Sequence, residues 1–188
     1  LRRVKEINNE AILVVCGCYA QVAKKELEEI QEIDIILGIN EKNNIVEIVE
    51  KYMAEISKAE KKKLENVEDV SNQKEFLDFG DVTYTEKNRA VVKVQDGCNM
   101  FCTYCAIPYI RGLFVSRPME DILKETEMLA SKGTKEIIVI AQDTTKYGID
   151  LYGESKLAEL LQRISEIDGI EWIRFLYSYP ESIDDELI

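Results

Sequence analysis

The sequence predicts an α/β protein in which parallel strands alternate with helices. Short runs of β-branched and aliphatic residues, such as residues 11–16 and 137–140, are separated by longer stretches with the apolar spacing of helices. The run 137–140 is apolar on both faces, which favours a parallel strand. With 46% apolar and 32% charged residues among 188, the chain has the composition of a globular protein with a core.

The first region, residues 1–53, is predicted to have the order strand, helix, strand, helix. Residues 11–16 form a β-branched run typical of a buried strand, and residues 21–33 are charged and helix-forming, with Val22, Leu27 and Ile30 as apolar members. A second strand over residues 34–37 ends at Gly38, and apolar residues at near-helical spacing follow over 45–52. This order is typical of the C-terminal part of a small α/β domain.

Residues 54–75 are predicted to be a charged linker. The stretch is rich in Lys and Glu with few apolar residues, a pattern that usually marks a solvated helix face or a linker. No function is assigned to it.

The second region, residues 76–188, is predicted to continue the alternation. A strand over 89–95 precedes a helix that has Pro118 in its first turn and stops at Gly133. The strand 137–140, a helix over 157–164 that ends at Gly169, and a strand over 170–177 follow. Three parallel strands with right-handed crossovers fit an open sheet or part of a βα barrel, because three strands cannot close a barrel.

Charge and composition exclude several function classes. The 24 basic and 36 acidic residues give a formal charge of −12, which argues against a general polyanion binder. The absence of histidine excludes Ser-His-Asp and Cys-His catalysis and Cys/His zinc fingers. The longest apolar run is far too short to span a bilayer, so we expect a cytoplasmic protein. The chain starts without Met and is expected to be a fragment.

Three cysteines carry the strongest chemical signal. Cys98, Cys102 and Cys105 lie within eight residues, at the C-terminal end of a predicted strand, where α/β sheets bind ligands. Thiolates suit zinc or iron–sulfur clusters, but structural zinc takes four ligands, whereas a cubane held by three cysteines keeps one iron open to a small molecule. A disulfide and a zinc site completed by Cys18 or by another chain remain as alternatives.

The spacing Cys98-x-x-x-Cys102-x-x-Cys105, with an aromatic residue before the last cysteine, resembles the signature of radical S-adenosylmethionine enzymes. The resemblance implies that the three thiolates hold a [4Fe-4S] cluster, that its open iron binds S-adenosylmethionine, and that reductive cleavage of this cofactor gives a 5′-deoxyadenosyl radical. It places Tyr104 beside the adenine, with core packing as the equal alternative. It also implies that residues 76–188 are the first half of a βα partial barrel, an incomplete core domain.

Residues 97–112 and the Ser116-Arg117-Pro118 segment are similar to the methylthiotransferase family, whose members replace C–H by C–SCH3. The segment Gly17-Cys18-Tyr19-Ala20-Gln21 resembles the third cysteine motif of that family's N-terminal domain, which holds a second [4Fe-4S] cluster. The resemblance implies that Cys18 is a ligand of this sulfur-donating cluster and that its partner cysteines precede Leu1. Cys16 is interpreted as a core residue of the strand.

Within this family, residues 141–153 resemble the branch that modifies an aspartate of small-subunit ribosomal protein twelve. The transfer-RNA branch tends to have Thr-Ser-His-Pro where this chain has Tyr177-Ser178-Tyr179-Pro180. The resemblance implies conversion of aspartate to 3-methylthioaspartate and an electron donor of the flavodoxin or ferredoxin type. A transfer-RNA methylthiotransferase and a non-catalytic, metal-stabilised binding module are the alternatives.

Several polar side chains keep two interpretations, and no catalytic residue is assigned. Gln142 and Asp143 end a predicted strand on the expected ligand edge and could contact the cofactor, or cap a helix and hold a loop. Arg111 could pair with a carboxylate of cofactor or substrate, or form an ordinary salt bridge. Trp172 and Phe175 are expected in the core and its rim.

Overall fold

A computed structural model describes residues 1–56, 62–71, 75–77, 80 and 88–188. The chain divides into two compact units: residues 1–71 with 109–111, and residues 72–108 with 112–188. Each unit contains a parallel sheet, so the predicted α/β class is confirmed.

The first unit is built on a three-stranded parallel sheet in the order β1-β2-β3. Val14, Ile35 and Leu64 are register partners across it. The strands are β1 (Val14–Cys16), β2 (Ile35–Leu37) and β3 (Leu64–Asn66), and the helices are α1 (Arg2–Ile7), α2 (Cys18–Val22), α3 (Lys24–Glu28) and α4 (Ile45–Ile56), with a 3-10 turn over Asn40–Asn44.

The central strand β2 is buried on both faces. Ile35 and Leu37 pack with Tyr52 of α4 on one side, and Ile36 packs with the buried residues of the other side, which are Ala20, Leu27 and Ile33. Alternate residues of a strand point to opposite faces, so this one strand connects both halves of the core.

The helix predicted over 21–33 is wrong in its extent. Helix α2 ends at Val22, because the backbone of the next residue, Ala23, leaves the helical region (φ −106°, ψ 28°), and α3 ends at Glu28. Ala20 and Ile33 are thirteen residues apart and would point to different sides of one straight helix with 3.6 residues per turn. The interruption lets both side chains pack against Ile36.

The prediction that residues 54–75 form a linker is wrong for two segments, which have regular secondary structure. Helix α4 continues to Ile56, and Leu64–Asn66 pairs with β2 as an edge strand. Lys63 donates hydrogen bonds to the carbonyls of Leu27, Glu28 and Ile30 at the end of α3, at 3.3, 2.6 and 2.7 Å. Leu64 is half-buried and the next two residues of β3 are exposed, so this strand shows no apolar run in the sequence. Residues 57–61 and 72–74 of the predicted linker lie outside the described residues.

Cys16 does not lie in the core as predicted. It is the last residue of β1, an edge strand whose other two residues are half-buried, and its side chain is exposed to solvent.

The second unit contains the parallel sheet β4-β7-β8 and a two-stranded antiparallel ladder, β5-β6. Ala90, Ile137 and Ile173 are register partners in the parallel sheet. The strands are β4 (Arg89–Lys93), β5 (Gln95–Asp96), β6 (Val115–Ser116), β7 (Glu136–Ile140) and β8 (Trp172–Phe175), and the helices are α6 (Met119–Ser131), α7 (Ile149–Tyr152) and α8 (Leu157–Ser165). Helix α5 (Ile107–Arg111) begins in this unit, and its residues 109–111 are assigned to the first unit.

One face of this sheet packs against α6 and α8. Val92, Ile137 and Val139 are fully buried, together with Ile122, Leu129, Leu160 and Ile164 of the two helices. The opposite face is only half-buried at Ile138 and Ile140, so the two-sided burial predicted for 137–140 holds for one face. Phe175 packs against the core as expected, whereas Trp172 is 62% exposed.

The predicted boundaries of α6 are nearly correct. Pro118 is the residue before the helix (φ −55°, ψ 137°) instead of a member of its first turn. Gly133 follows the helix at φ +96°, a left-handed conformation that favours glycine, and its N–H donates to the Ala130 carbonyl at 2.9 Å.

Among the described residues, no helix has the length and apolar character required to cross a membrane.

Candidate functional site

The candidate site is a cavity of about 410 Å³ at the C-terminal edge of the sheet in the second unit. Cys98 follows the first strand of this sheet, Gln142 follows β7, and Tyr177 and Tyr179 follow β8. Parallel strands end at the same edge, so residues distant in sequence line one cavity.

The three cysteines lie on a loop that leaves and returns at one narrow neck. Gln95 and Asp96 of β5 pair with Ser116 and Val115 of β6. The Cys98 N–H also donates to the Gly112 carbonyl at 3.2 Å. The loop therefore projects from a closed base over the cavity.

Gly97 makes this neck possible. Its φ is +78°, and a Cβ placed there would lie 2.2 Å from the Leu113 carbonyl oxygen. Only glycine allows the two sides of the neck to approach this closely.

The three cysteines of this loop all line the cavity, and each is half-buried. All three, Cys98, Cys102 and Cys105, have free thiols. A turn closed by the Cys105 N–H and the Cys102 carbonyl, at 2.9 Å, joins the last two cysteines. Within the described residues, no three His, Cys, Asp or Glu side chains are arranged to hold a single metal ion. A cubane binds each thiolate through a different iron, so its ligands need not converge on one point. Three thiolates match the ligand set of a three-cysteine cubane and are one ligand short of a structural zinc site.

Tyr104 lines the same cavity and is 91% exposed. Core packing, the alternative interpretation of this residue, is therefore excluded. Its aromatic face is accessible to a planar ligand, and its place beside the adenine stays a prediction.

Gln142 and Asp143 have different surroundings. Gln142 lines the cavity, and its Oε1 atom is buried without a hydrogen-bond partner among the described residues. This acceptor suits a donor such as the amino group of S-adenosylmethionine. Asp143 is 2% exposed, and its Oδ1 accepts from the N–H of Thr145 at 3.2 Å and from the Thr145 hydroxyl, which caps the 3-10 turn Thr144–Lys146. The structure thus shows the loop-holding role for Asp143.

A smaller cavity of about 50 Å³ lies behind the cysteine loop. It is lined by Cys98, Asp143 and Gln95 among others, and the Asp143 Oδ2 and Gln95 Oε1 atoms are buried there without partners among the described residues. Buried acceptors of this kind are usually satisfied by ordered water.

Tyr177 and Tyr179 are site residues that the sequence reasoning used only as markers of a family branch. Tyr177 has φ +67°. Its carbonyl accepts two hydrogen bonds from Thr144, one from the backbone N–H at 2.9 Å and one from the Thr144 hydroxyl at 3.3 Å. The Tyr179 hydroxyl lies 4.0 Å from the Cys102 Sγ. The side-chain hydrogen bond with Cys102 raises the pKa of Tyr179 above its ordinary value. Tyr177 and Tyr179 follow β8 at the ligand edge of the sheet, and this position is the sequence feature that could have marked them as site residues.

Cys18 and Arg111 are in contact within the first unit. Cys18 is half-buried and begins α2, directly after Gly17 at φ +101°. The Arg111 Nη2 donates to the Cys18 Sγ at 3.6 Å. The sequence did not predict this contact, and the pairing of Arg111 with a carboxylate stays a prediction.

The family model of the radical SAM superfamily matches residues 92–188, slightly more than half of the chain. The chain belongs to the radical SAM superfamily. The matched region contains Cys98, Cys102, Cys105, Tyr104 and Gln142. The resemblance stated from the cysteine spacing is therefore confirmed.

This radical SAM chain is also similar to curated proteins named ribosomal protein uS12 methylthiotransferase RimO. Identity is 48% to the protein of Alkaliphilus oremlandii, over all of this chain and 40% of that protein. It is 46% to the protein of Clostridium tetani and 47% to that of Acetivibrio thermocellus, in both cases over 96% of this chain and 39% and 40% of the relative. The chain thus spans about two fifths of the length of these relatives. Their names agree with the family branch that the sequence resembles.

Proposed function

We propose that the protein carrying this chain is a radical methylthiotransferase that converts an aspartate of ribosomal protein uS12, the small-subunit protein twelve, to 3-methylthioaspartate. The observation that carries the proposal is the cavity lined by three free cysteines at the ligand edge of a radical SAM sheet. Relatives that are 46–48% identical over nearly the whole chain, and that are named for this reaction, support the choice of substrate.

The cofactors in this proposal are S-adenosylmethionine and [4Fe-4S] clusters, which supply the radical chemistry when bound. Cys98, Cys102 and Cys105 anchor the cluster that binds S-adenosylmethionine. Gln142 accepts a hydrogen bond from the cofactor's amino group, and Tyr104 stacks on its adenine. These roles are supported by the shared cavity, the unpartnered Gln142 Oε1 and the exposure of Tyr104.

Cys18 is proposed as a ligand of a second, sulfur-carrying cluster. The support is its motif, because Gly17-Cys18-Tyr19-Ala20-Gln21 lies in a segment that aligns with the methylthiotransferase relatives over the whole chain. The contact from Arg111 also suits a thiolate, because a guanidinium stabilises a nearby negative charge.

The partners in the proposal are uS12 and a low-potential electron donor of the flavodoxin or ferredoxin type. The formal charge of −12 is complementary to a basic ribosomal protein, which favours encounter. All five cysteines are free, which agrees with the reducing cytoplasm in which we place the protein.

Mass spectrometry of a strain that lacks the intact gene tests the substrate. We expect uS12 to lose the mass of one methylthio group while the methylthio-adenosines of transfer RNA persist. Restoring the gene should restore the mass, whereas restoring it with Cys102→Ala should not. An unchanged uS12 together with missing methylthio-adenosine would transfer the assignment to the transfer-RNA branch.

A further inference from the structure

The backbone that follows β8 is held in an unusual conformation beside the cysteine loop. Tyr177 has φ +67°, which costs a non-glycine residue on the order of 1 kcal/mol. Two hydrogen bonds from Thr144 to the Tyr177 carbonyl hold it there, and Thr144 is fully buried. The strained turn is therefore fixed to the end of β7 and not left to move with solvent.

This turn directs a hydroxyl toward one cluster thiol. The Tyr179 hydroxyl and the Cys102 Sγ are 4.0 Å apart, within the range of a hydrogen bond to sulfur, although 77 residues separate them. Both residues line the same cavity. Tyr177 lines it as well, with its side chain 64% exposed, but the thiol contact is made by the hydroxyl of Tyr179.

We propose that the Tyr179 hydroxyl donates a hydrogen bond to the Cys102 thiolate when that thiolate ligates the cluster, and that this bond raises the reduction potential of the cluster. Tyr179 is then a positioning residue that acts through Cys102. This inference rests on the proposed assignment of Cys98, Cys102 and Cys105 as cluster ligands.

The direction of the effect follows from charge. A [4Fe-4S] centre that accepts one electron becomes more negative by one charge, and part of that charge lies on the ligand sulfurs. A donor directed at one sulfur stabilises the reduced form more than the oxidised form, so the potential becomes less negative. The hydroxyl gives no proton away, and the electron comes from the external low-potential donor.

The experiment uses the intact protein in a Cys18→Ala background, so that only the cluster at Cys98, Cys102 and Cys105 is measured. Redox titration followed by EPR, without S-adenosylmethionine, gives the midpoint potential of the cluster in three proteins. These are the Cys18→Ala protein itself, its Tyr179→Phe variant and the matched control Tyr177→Phe. We expect Tyr179→Phe to shift the midpoint to a more negative value. We also expect it to reduce the shift of the Fe–S(Cys) stretching bands that exchange of H2O for D2O causes in the resonance Raman spectrum. Tyr177→Phe should leave both unchanged.

A second replacement predicts the opposite sign. With 3-fluorotyrosine at position 179, at a pH where its hydroxyl is protonated, the donor is stronger and the midpoint should become less negative. This arm also decides the matter if Tyr179→Phe fails to retain its cluster. Equal midpoints at position 179, or equal shifts in Tyr179→Phe and Tyr177→Phe, would overturn the inference. Absence of iron and sulfide in the unsubstituted Cys18→Ala protein would instead overturn the cluster assignment.

Discussion

In each of the two parallel sheets, cysteines lie at or shortly after the end of the first strand. The two sheets differ in how many candidate ligands this position supplies. After β4, three thiols lie in one eight-residue segment of the loop that the β5-β6 ladder closes at its base. After β1, the exposed Cys16 ends the strand and the half-buried Cys18 begins the next helix. The same topological position therefore carries a self-contained ligand set in one unit and a single candidate ligand in the other.

The comparison teaches that ligand spacing predicts a site only where one loop carries the whole set. The loop after β4 predicts its cluster from local sequence alone. A cubane at Cys18 needs ligands from other segments, so its assignment depends on family resemblance.

The largest expected effect is on the cluster of the second unit. Replacing Cys98, Cys102 or Cys105 by Ala should abolish cluster uptake, because two thiolates do not hold the cubane. Iron and sulfide analysis and visible absorbance after anaerobic reconstitution measure this. Cys16→Ala is the matched control, since its exposed thiol is not a proposed ligand, and it should retain full iron. A colourless wild-type chain, or full iron and sulfide in Cys102→Ala, would contradict the assignment.

A smaller effect is expected at the first sheet. Cys18→Ala should leave the iron content of the 188-residue chain unchanged, and should lower the cluster content of the intact protein by about half if each cluster needs its three cysteines. In the intact protein, sulfur insertion should stop while reductive cleavage of S-adenosylmethionine, measured as 5′-deoxyadenosine, continues. Loss of that cleavage would place Cys18 at the radical site instead.

The close packing of the neck of the cysteine loop can be tested by measuring the free energy of unfolding. Gly97→Ala should lower it by about 3 kcal/mol, because left-handed strain adds to a clash with the Leu113 carbonyl. Gly153→Ala is the control: its φ is +82°, but nothing lies within 4 Å of the added Cβ, so only about 1 kcal/mol is expected. Urea unfolding followed by circular dichroism measures both, and equal losses would show that the neck is not closely packed.

The smallest predicted effect concerns the three-residue strands of the first sheet. The buried Asp34 carboxylate accepts from Lys5 Nζ and from the Leu13 N–H, both at 2.7 Å, and so holds the chain before β1 next to β2. Asp34→Asn weakens these charge-assisted bonds and should lower the free energy of unfolding by about 1–2 kcal/mol. In Glu28→Gln, which removes a half-exposed pair with Lys24, thermal unfolding should change little. Similar shifts in the two variants would argue against the role of Asp34.

The sequence predicts the parts of the fold that depend on periodicity. The β-branched runs that became β1, β2 and β7, and the apolar stripes of α6 and α8, were visible as patterns. Strand β3 was not, because three residues in a Lys- and Glu-rich stretch pair through backbone groups and show no alternation. The interruption at Ala23 depends on packing against Ile36, which is a tertiary constraint.

The candidate site shows the same division. Local spacing identified Cys98, Cys102 and Cys105, but the Tyr179–Cys102 contact spans 77 residues and requires the strand order of the sheet. Asp143 was predicted to end this strand but lies three residues beyond β7, and only its hydrogen bonds to Thr145 show that it holds the loop.

The closed neck at Gly97 has a consequence for how the protein matures. The β5-β6 ladder and the Arg117 N–H bond to the Val94 carbonyl, at 2.8 Å, anchor the base of the loop independently of its tip. These backbone bonds close the base of the loop without any contribution from a centre bound at the tip. A chain that folds before it binds such a centre therefore already holds the segment that would receive it in place.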